Sequence, residues 1–339
     1  MFFITKDESE IYYEISYSND HCLLLSGDGL NYLFTDGRYF EEAKAAASNC
    51  EVLLASSSLF KSLASKIRTL GIKKISFDPD KLSFFEHSEL QKLSNVTLTP
   101  RKNALSAKRA IKSAIELYKI KQAVKIGKAG FKEFAKKVNS LKSADELTLN
   151  YLAKQSLAQS GKYALSFEPI VALDENAANP HARPTDKKLK KDGLVLFDGG
   201  IKFERYCSDR TRTAFFEDGF RFKKEQNFKD KKLQHIYDTV LKAQESAIKS
   251  AKVGMKAKEL DKIARDIIEK AGYGEYFVHS LGHGVGLDIH EHPYINKRSE
   301  EILQENMVFT VEPGIYIPNH YGVRIEDMVV MTPHGAEVL

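Results

Sequence analysis

Two pairs of carboxylates, each set symmetrically about a turn, restrict the fold of this chain more than any other feature. Asp198 in LVLFDGG and Asp209 in CSDRTRT stand eleven residues apart, with their midpoint inside Lys202-Phe203-Glu204-Arg205. A hairpin turning there places the two Asp opposite each other on adjacent strands. Glu312 in TVEPG and Glu326 in VRIED stand fourteen apart, centred on Asn319 in the turn-forming stretch Pro318-Asn319-His320-Tyr321-Gly322. A second hairpin therefore sets Glu312 across from Glu326. The apolar runs Leu194–Phe197 and Met307–Val311 lead directly into Asp198 and Glu312, so both carboxylates end buried strands. Unpaired buried charge is costly, and a cluster of cations removes that objection. With His283 in LGHGVG, the set is oxygen-rich and suits hard or borderline divalent ions, Mn²⁺ first, with Co²⁺, Fe²⁺ or Zn²⁺ as alternatives. Bridging carboxylates in this number imply two ions about 3.5–4 Å apart sharing a water or hydroxide nucleophile.

His279 and His283 stand at i, i+4, the spacing of a helical zinc pair, but Gly282, Gly284 and Gly286 disfavour a helix there. A Gly-rich strand or loop with close backbone approach is expected instead. No Gly-Lys-Ser/Thr ending follows, so these glycines do not form a phosphate loop.

The first hundred residues read as a small α/β unit. Short apolar stretches (Leu23–Leu25, Val52–Leu54, Ile75–Phe77) alternate with helix-like segments such as Phe60 to Leu70, and the stretch from Val96 to Asn103 closes the unit. Four amphipathic helices are expected beyond it. Their apolar stripes run through Ile111, Ile115 and Tyr118; through Leu147, Tyr151 and Leu152 after the capping box Ser143-Ala144-Asp145-Glu146; through Leu233 to Leu241; and through Leu260 to Ala271. The order helix-helix-hairpin, then helix-helix-strand-hairpin, predicts an internally duplicated α+β domain. The division expected is an N-terminal α/β domain over 1–104 and a catalytic domain over 105–339.

The net charge of +5 is small against 51 basic and 46 acidic side chains. It gives a solvated, mildly basic surface with no nucleic-acid footprint. The Lys-rich stretches at 187–191 and 223–224 are read as loops without aromatic interleaving. MFFITKDESE is no secretory h-region, and no apolar run nears the ~18 residues a membrane span requires. Cys22, Cys50 and Cys207 form an odd set without metal-like spacing, as in a reducing cytoplasm. A cytoplasmic protein without a membrane partner is the expectation.

The series SDRTRT, HSLGHGVGLDIHEHP, ENMVFTVEPGIYI and GVRIED resembles the catalytic signature of proline-specific metallopeptidases. These are the Xaa-Pro aminopeptidases and prolidases of the pita-bread (creatinase/methionine aminopeptidase) superfamily. The likeness spans most of 105–339, including RAIKSAIELYKIKQAV and FEPIVALDENAANPHARP, and TDGRYFEEA is similar to the family's N-terminal region. The resemblance implies an α+β fold with a C-terminal pita-bread domain behind a smaller creatinase-like α/β domain. It implies that Asp198 chelates one metal, Asp209 and Glu326 bridge, and His283 and Glu312 hold the other, with Glu312 also carrying a proton. It gives His181, His279 and His290 roles near the scissile carbonyl, the last two as hydrogen-bond partners of substrate and oxyanion. Arg324, two residues before Glu326, would bind a substrate carboxylate or anchor a ligand, and Arg298 is a further candidate for the carboxylate. His292, His320 and His334 are read as surface residues. The implied reaction is hydrolysis of an N-terminal Xaa-Pro bond by a homodimer acting on proline-containing peptides. Prolidase activity on dipeptides is the alternative, and a non-catalytic pita-bread binding module is a more distant one.

Overall fold

A computed structural model describes residues 2–217 and 219–339. The chain divides into two compact units, residues 1–109 and 110–339. The first unit carries β1 (Phe2–Thr5), α1 (Glu8–Ile15), β2 (Cys22–Gly27), β3 (Leu30–Thr35), α2 (Phe40–Ala46), β4 (Glu51–Leu54), α3 (Leu59–Thr69), β5 (Lys74–Phe77), α4 (Phe84–Leu93) and β6 (Thr97–Pro100). Its sheet order is β4-β3-β2-β1-β5-β6, with β1–β2 and β2–β3 antiparallel and the remaining pairs parallel. Ile4, Leu23, Leu25 and Phe34 pack on Leu63 and Ile67 of α3, while Leu24 and Leu33 point the other way, toward Ile11 and Ile15 of α1. That alternation is what a sheet covered on both faces requires.

After α5 (Ala104–Ala110), the second unit runs α6 (Ala114–Asn139), α7 (Glu146–Ala158), β7 (Ile170–Leu173), β8 (Leu194–Asp198), β9 (Lys202–Phe203), β10 (Tyr206–Cys207) and β11 (Thr211–Phe215). A second series follows: α8 (Lys231–Ser250), α9 (Ala257–Lys270), β12 (Gly282–Gly284), β13 (Glu291–Ile295), β14 (Val308–Val311), β15 (Gly314–Ile317), β16 (Tyr321–Arg324), β17 (Asp327–Thr332) and β18 (Gly335–Val338). The strand orders β11-β8-β7 and β17-β14-β12 mirror each other, so the unit is duplicated in architecture. Leu194 and Leu196 of β8 face the core of α8 and α9, while Val195 and Phe197 face that of α6 and α7. A strand buried on both faces reads as a continuous apolar run, which is why LVLF was legible. Among the described residues, no helix is long and apolar enough to cross a membrane.

The first two helices depart from expectation. Ser113 and Glu116 form a capping box that starts α6 at Ala114 and breaks the helix between Ala110 and Ala114. The buried face of α6 then falls on Ile120, Ala123, Phe131 and Phe134, while Ile111, Ile115 and Tyr118 are exposed, as are Leu147 and Tyr151 of α7. The stripes through α8 and α9 do face inward.

Candidate active site

The two hairpins differ in how closely they follow the sequence. In the first, Glu204 and Arg205 form a two-residue turn with both φ values positive, 45° and 73°. Such a turn fixes the strand register. Lys202 pairs with Cys207 and Asp198 with Thr211, so Asp198 faces Thr211 rather than Asp209, which lies two residues along. The hairpin centre is one residue later than the sequence midpoint. In the second, Val311 pairs with Asp327 and Gly314 with Arg324 in one common register, which leaves Glu312 across from Glu326. His283 sits on β12, between glycines that permit close contact. A Cβ on Gly282 would lie 1.9 Å from the Thr310 carbonyl oxygen, and one on Gly284 would lie 2.2 Å from that of His292.

Asp198, Asp209, His283, Glu312, Glu326, His181, His279, His290 and Arg324 all line one cleft of about 500 Å³. Arg298 is exposed and is not among the residues lining that cleft, and His292 is half-buried against Glu301 (Nδ1 to Oε2, 2.9 Å) rather than free at the surface. His283 Nε2 lies 3.2 Å from Glu312 Oε1 and 3.7 Å from Asp209 Oδ2. Its Nδ1 is 3.1 Å from the Gly284 carbonyl; donation there leaves Nε2 as the nitrogen that meets the carboxylates. Ligand atoms of Asp209, His283 and Glu326 lie within 4.8 Å of one another. Asp198 Oδ1 and Asp209 Oδ1 are buried without a hydrogen-bond partner. Orphaned carboxylate oxygens in such a cluster are what divalent ions would complete, so the donor set fits the metals it suggests.

A row of polar side chains behind the carboxylates sets their orientation. Thr211 Oγ1 donates to Glu326 Oε2 at 2.6 Å and accepts from Arg324 Nε at 3.0 Å. Arg324 donates to Asp198 Oδ2 through Nη2 (2.8 Å), and to Tyr316 Oη (2.8 Å) and the Pro180 carbonyl (3.2 Å) through Nη1. Arg324 is therefore committed to anchoring Asp198. Tyr316 Oη is also 2.9 Å from His279 Nε2, and His279 Nδ1 is 2.7 Å from the Ser280 carbonyl, so both His279 ring nitrogens are engaged. Thr310 Oγ1 donates to Glu312 Oε1 at 3.0 Å and accepts from the His283 N–H at 3.0 Å. Sequence reasoning missed Tyr316, Thr211 and Thr310, although alternation along SDRTRT and TVEPG places each threonine on the face of its neighbouring carboxylate. It also missed the apolar wall of Phe167, Ile170, Ile289 and Tyr294.

Burial dominates the electrostatics. It raises the pKa of Asp209, with Glu326 and Asp198 adding to the effect, and that of Glu326, with Glu312 and Asp198 adding; both end well above the usual range. Asp198 is raised by burial against the opposing pull of Arg324. Glu312 goes the other way: burial acts upward, but His283, His279 and Arg324 hold it down at about 2. His279 and His290 are both lowered, chiefly by burial, which keeps them neutral near pH 7.

Hairpin ends from both halves of a duplicated α+β unit, converging on ligands for divalent ions, define the pita-bread metallopeptidase class. Residues 118–333 match the model of metallopeptidase family M24, and residues 1–111 match the creatinase/prolidase N-terminal domain. The chain belongs to metallopeptidase family M24. It is 35% identical to an uncharacterized peptidase of Staphylococcus aureus over 97% of this chain and 91% of that protein. A match to an uncharacterized peptidase of Staphylococcus epidermidis, 42% identical, covers 68% of this chain and 62% of that protein, less than two thirds of its length. Among solved structures, a Xaa-Pro dipeptidase from Bacillus anthracis aligns with TM-score 0.90 and 31% identity, covering 99% of this chain and 92% of that one. An X-Pro aminopeptidase from Thermotoga maritima aligns with TM-score 0.88 and 30% identity, covering 99% and 94%.

Proposed function

We propose that the chain is a dinuclear-metal Xaa-Pro aminopeptidase that hydrolyses the bond before proline at the N-terminus of peptides, with Mn²⁺ as the working ion. The observation that carries this reading is the meeting of Asp198, Asp209, His283, Glu312 and Glu326 in one cleft with two buried carboxylate oxygens left without partners. When bound, the ions would supply Lewis-acid polarisation of the scissile carbonyl and an acidified water. Asp198, Asp209 and Glu326 would hold them, with His283 and Glu312 completing the shell.

The chain's own groups do the rest. Glu312, ionised and oriented by Thr310, takes the proton of the attacking water and passes it to the departing nitrogen. That nitrogen must be protonated to leave as an amine; as a tertiary amide it offers no N–H for recognition, and the proposed step needs none. His181 and His290, which line the cleft and carry no hydrogen bond among the described residues, meet the carbonyl oxygen as it becomes an oxyanion. His279, tied at both nitrogens, acts as a positioning residue that holds Tyr316 and through it Arg324. Phe167, Ile170, Ile289 and Tyr294 offer an apolar seat for the proline ring.

Dipeptide cleavage is the second reading, and the likeness to a Xaa-Pro dipeptidase and a prolidase favours it. Against it, the one Arg or Lys among the described residues lining the cleft is Arg324, already committed to Asp198 and so not available to a dipeptide carboxylate. The test compares Mn²⁺-supplemented cleavage of Xaa-Pro-Yaa, Xaa-Pro and Xaa-Ala-Yaa peptides. Release of the first residue from Xaa-Pro-Yaa supports the proposal. Cleavage of Xaa-Pro alone establishes a dipeptidase, and no cleavage of any peptide leaves the binding module. The working unit proposed is a cytoplasmic homodimer, in which a second copy covers the exposed Ile115, Tyr118, Leu147 and Tyr151; light scattering giving a monomer mass overturns it.

A further inference from the structure

Outside the cleft, a groove of about 630 Å³ lies between α6 and the segment Phe220-Arg221-Phe222-Lys223. Its floor is aromatic: Phe222 meets Phe131 and Phe220 edge to face, with centroid separations of 5.5 Å and 4.8 Å. Its rim is cationic. Lys128, Lys132 and Lys136 follow at i, i+4 and i+8 on α6, and Arg210, Arg221 and Lys223 join them from two other segments. No carboxylate is among the described residues lining the groove.

Placement of lysines near a helix C-terminus has a bland cause, the helix dipole. That does not account for three further cations arriving from elsewhere in the chain. Arg210, the deepest, stands 5.7 Å over the Phe131 ring and reaches Asp327 at 3.3 Å, but Asp327 is shared with Arg212 at 2.6 Å. Arg210 thus has Asp327 and Lys128 the Leu339 carbonyl oxygen as partners, while Lys132, Lys136, Arg221 and Lys223 make no ion pair among the described residues.

We propose that this groove is a binding site for a nucleoside di- or triphosphate, the aromatic base seated at Phe222 and the phosphates held by the lysine and arginine rim. A polyanion answers the four cations left without an ion pair, where a single carboxylate would leave most of them uncompensated. An aromatic body answers the phenylalanine floor, and stacking of a base on an aromatic side chain is sequence-independent and strong. The volume lies within the usual range for small-molecule sites. The proposal does not depend on the peptidase reading.

The test is calorimetric titration of the full chain, without added divalent ions, with ATP, tripolyphosphate, adenosine and a short oligonucleotide. The comparison proteins are Lys132→Glu/Arg221→Glu, at two exposed positions remote from the cleft, and Phe222→Leu. Arg210 is left intact because its partner Asp327 adjoins Glu326. ATP is expected to bind at least about tenfold more tightly than either fragment, and the double variant to lose at least about tenfold in ATP affinity with unchanged peptide cleavage. Phe222→Leu should weaken ATP and leave tripolyphosphate unaffected. Equal ATP affinity in the double variant, tripolyphosphate binding as tightly as ATP, or binding of an oligonucleotide without the mononucleotide each overturns the proposal.

Discussion

Lys112 and Glu291 form an ion pair with side-chain exposures of 0% and 3%, between the segment that enters α6 and the strand that follows His290. The Lys112 N–H is fixed to the Asn306 carbonyl at 3.0 Å, so its side chain starts from an anchored backbone. Glu291 also accepts the Asp288 N–H at 3.4 Å, and its carboxylate fills the space beside Gly286, where a Cβ would lie 2.3 Å from Oε1. Lys112→Met removes the ammonium and leaves a buried carboxylate without it. Breaking one side of such a pair costs about 3–5 kcal/mol, whereas replacing both partners by apolar groups of similar size is near neutral. That loss is a large fraction of the roughly 5–15 kcal/mol that holds a typical domain. Lys112→Met should therefore lower the stability of the second unit by about 3–5 kcal/mol, and Lys112→Met/Glu291→Leu should recover most of it. Because two units need not unfold together, amide hydrogen exchange in β12 and β13 is the assay, read across the double-mutant cycle. A cost below about 1 kcal/mol for Lys112→Met, or a double variant no better than the single, would refute the claim that the pair is held dry and coupled.

Three further outcomes are expected. Chelation should abolish peptide cleavage; Mn²⁺ at about a hundred times its dissociation constant should restore it and add roughly 2.7 kcal/mol of stability, and a His283→Ala protein showing the same gain would remove His283 from the site. Arg324→Met, which frees Asp198 Oδ2, should weaken metal binding about 10–100-fold, with Tyr316→Phe smaller in the same direction; unchanged metal titrations in both contradict the anchoring role. Burial raises Glu10, which accepts from Thr5 at 2.6 Å, from 4.5 to about 7. A carboxyl raised in the folded state stabilises it fully below its unfolded value and loses that contribution as pH climbs through the folded value. The wild-type N-terminal unit should thus lose up to about 3 kcal/mol between pH 4.5 and 8 that Glu10→Gln does not lose, and parallel urea curves for the two proteins would count against it.

Strand-borne features were the most legible in this sequence. Leu194 to Phe197 ends in Asp198, and turn-forming residues centre on Asn319, so period and turn chemistry sufficed to place both. The first hairpin slipped by one residue because Glu204 and Arg205 are not typical residues for positive φ, and nothing in their identity announces the turn. Spacing alone misassigned Ile111, Ile115 and Tyr118, since helical periodicity marks an apolar face without saying what covers it. Tyr316 was invisible because its role is a hydrogen bond to two residues, His279 and Arg324, that only tertiary structure brings together. The reading of Lys223 and Lys224 as a loop without aromatic interleaving needs correction, because Phe220 and Phe222 alternate with Arg221 just ahead of them; that alternation became a groove only when α6 supplied the opposite wall.

The duplication explains why the cleft has a direction. Asp198 ends β8 as Glu312 follows β14, and Asp209 precedes β11 as Glu326 precedes β17, so the carboxylates obey the internal symmetry. The strands outside them do not. On the second half, β12 brings His283, whose imidazole meets Glu312; on the first, the equivalent outer strand β7 begins with Ile170, and Phe167 lies just ahead of it. A symmetric carboxylate cradle thus takes its nitrogen donor from the second half alone, while the first half offers Phe167 and Ile170 in the corresponding place. Two ions held there would be chemically unequal. Exchanging Ile170 for Ala should consequently raise KM for a proline peptide far more than it alters the metal titration, because it trims apolar surface and leaves every carboxylate in place.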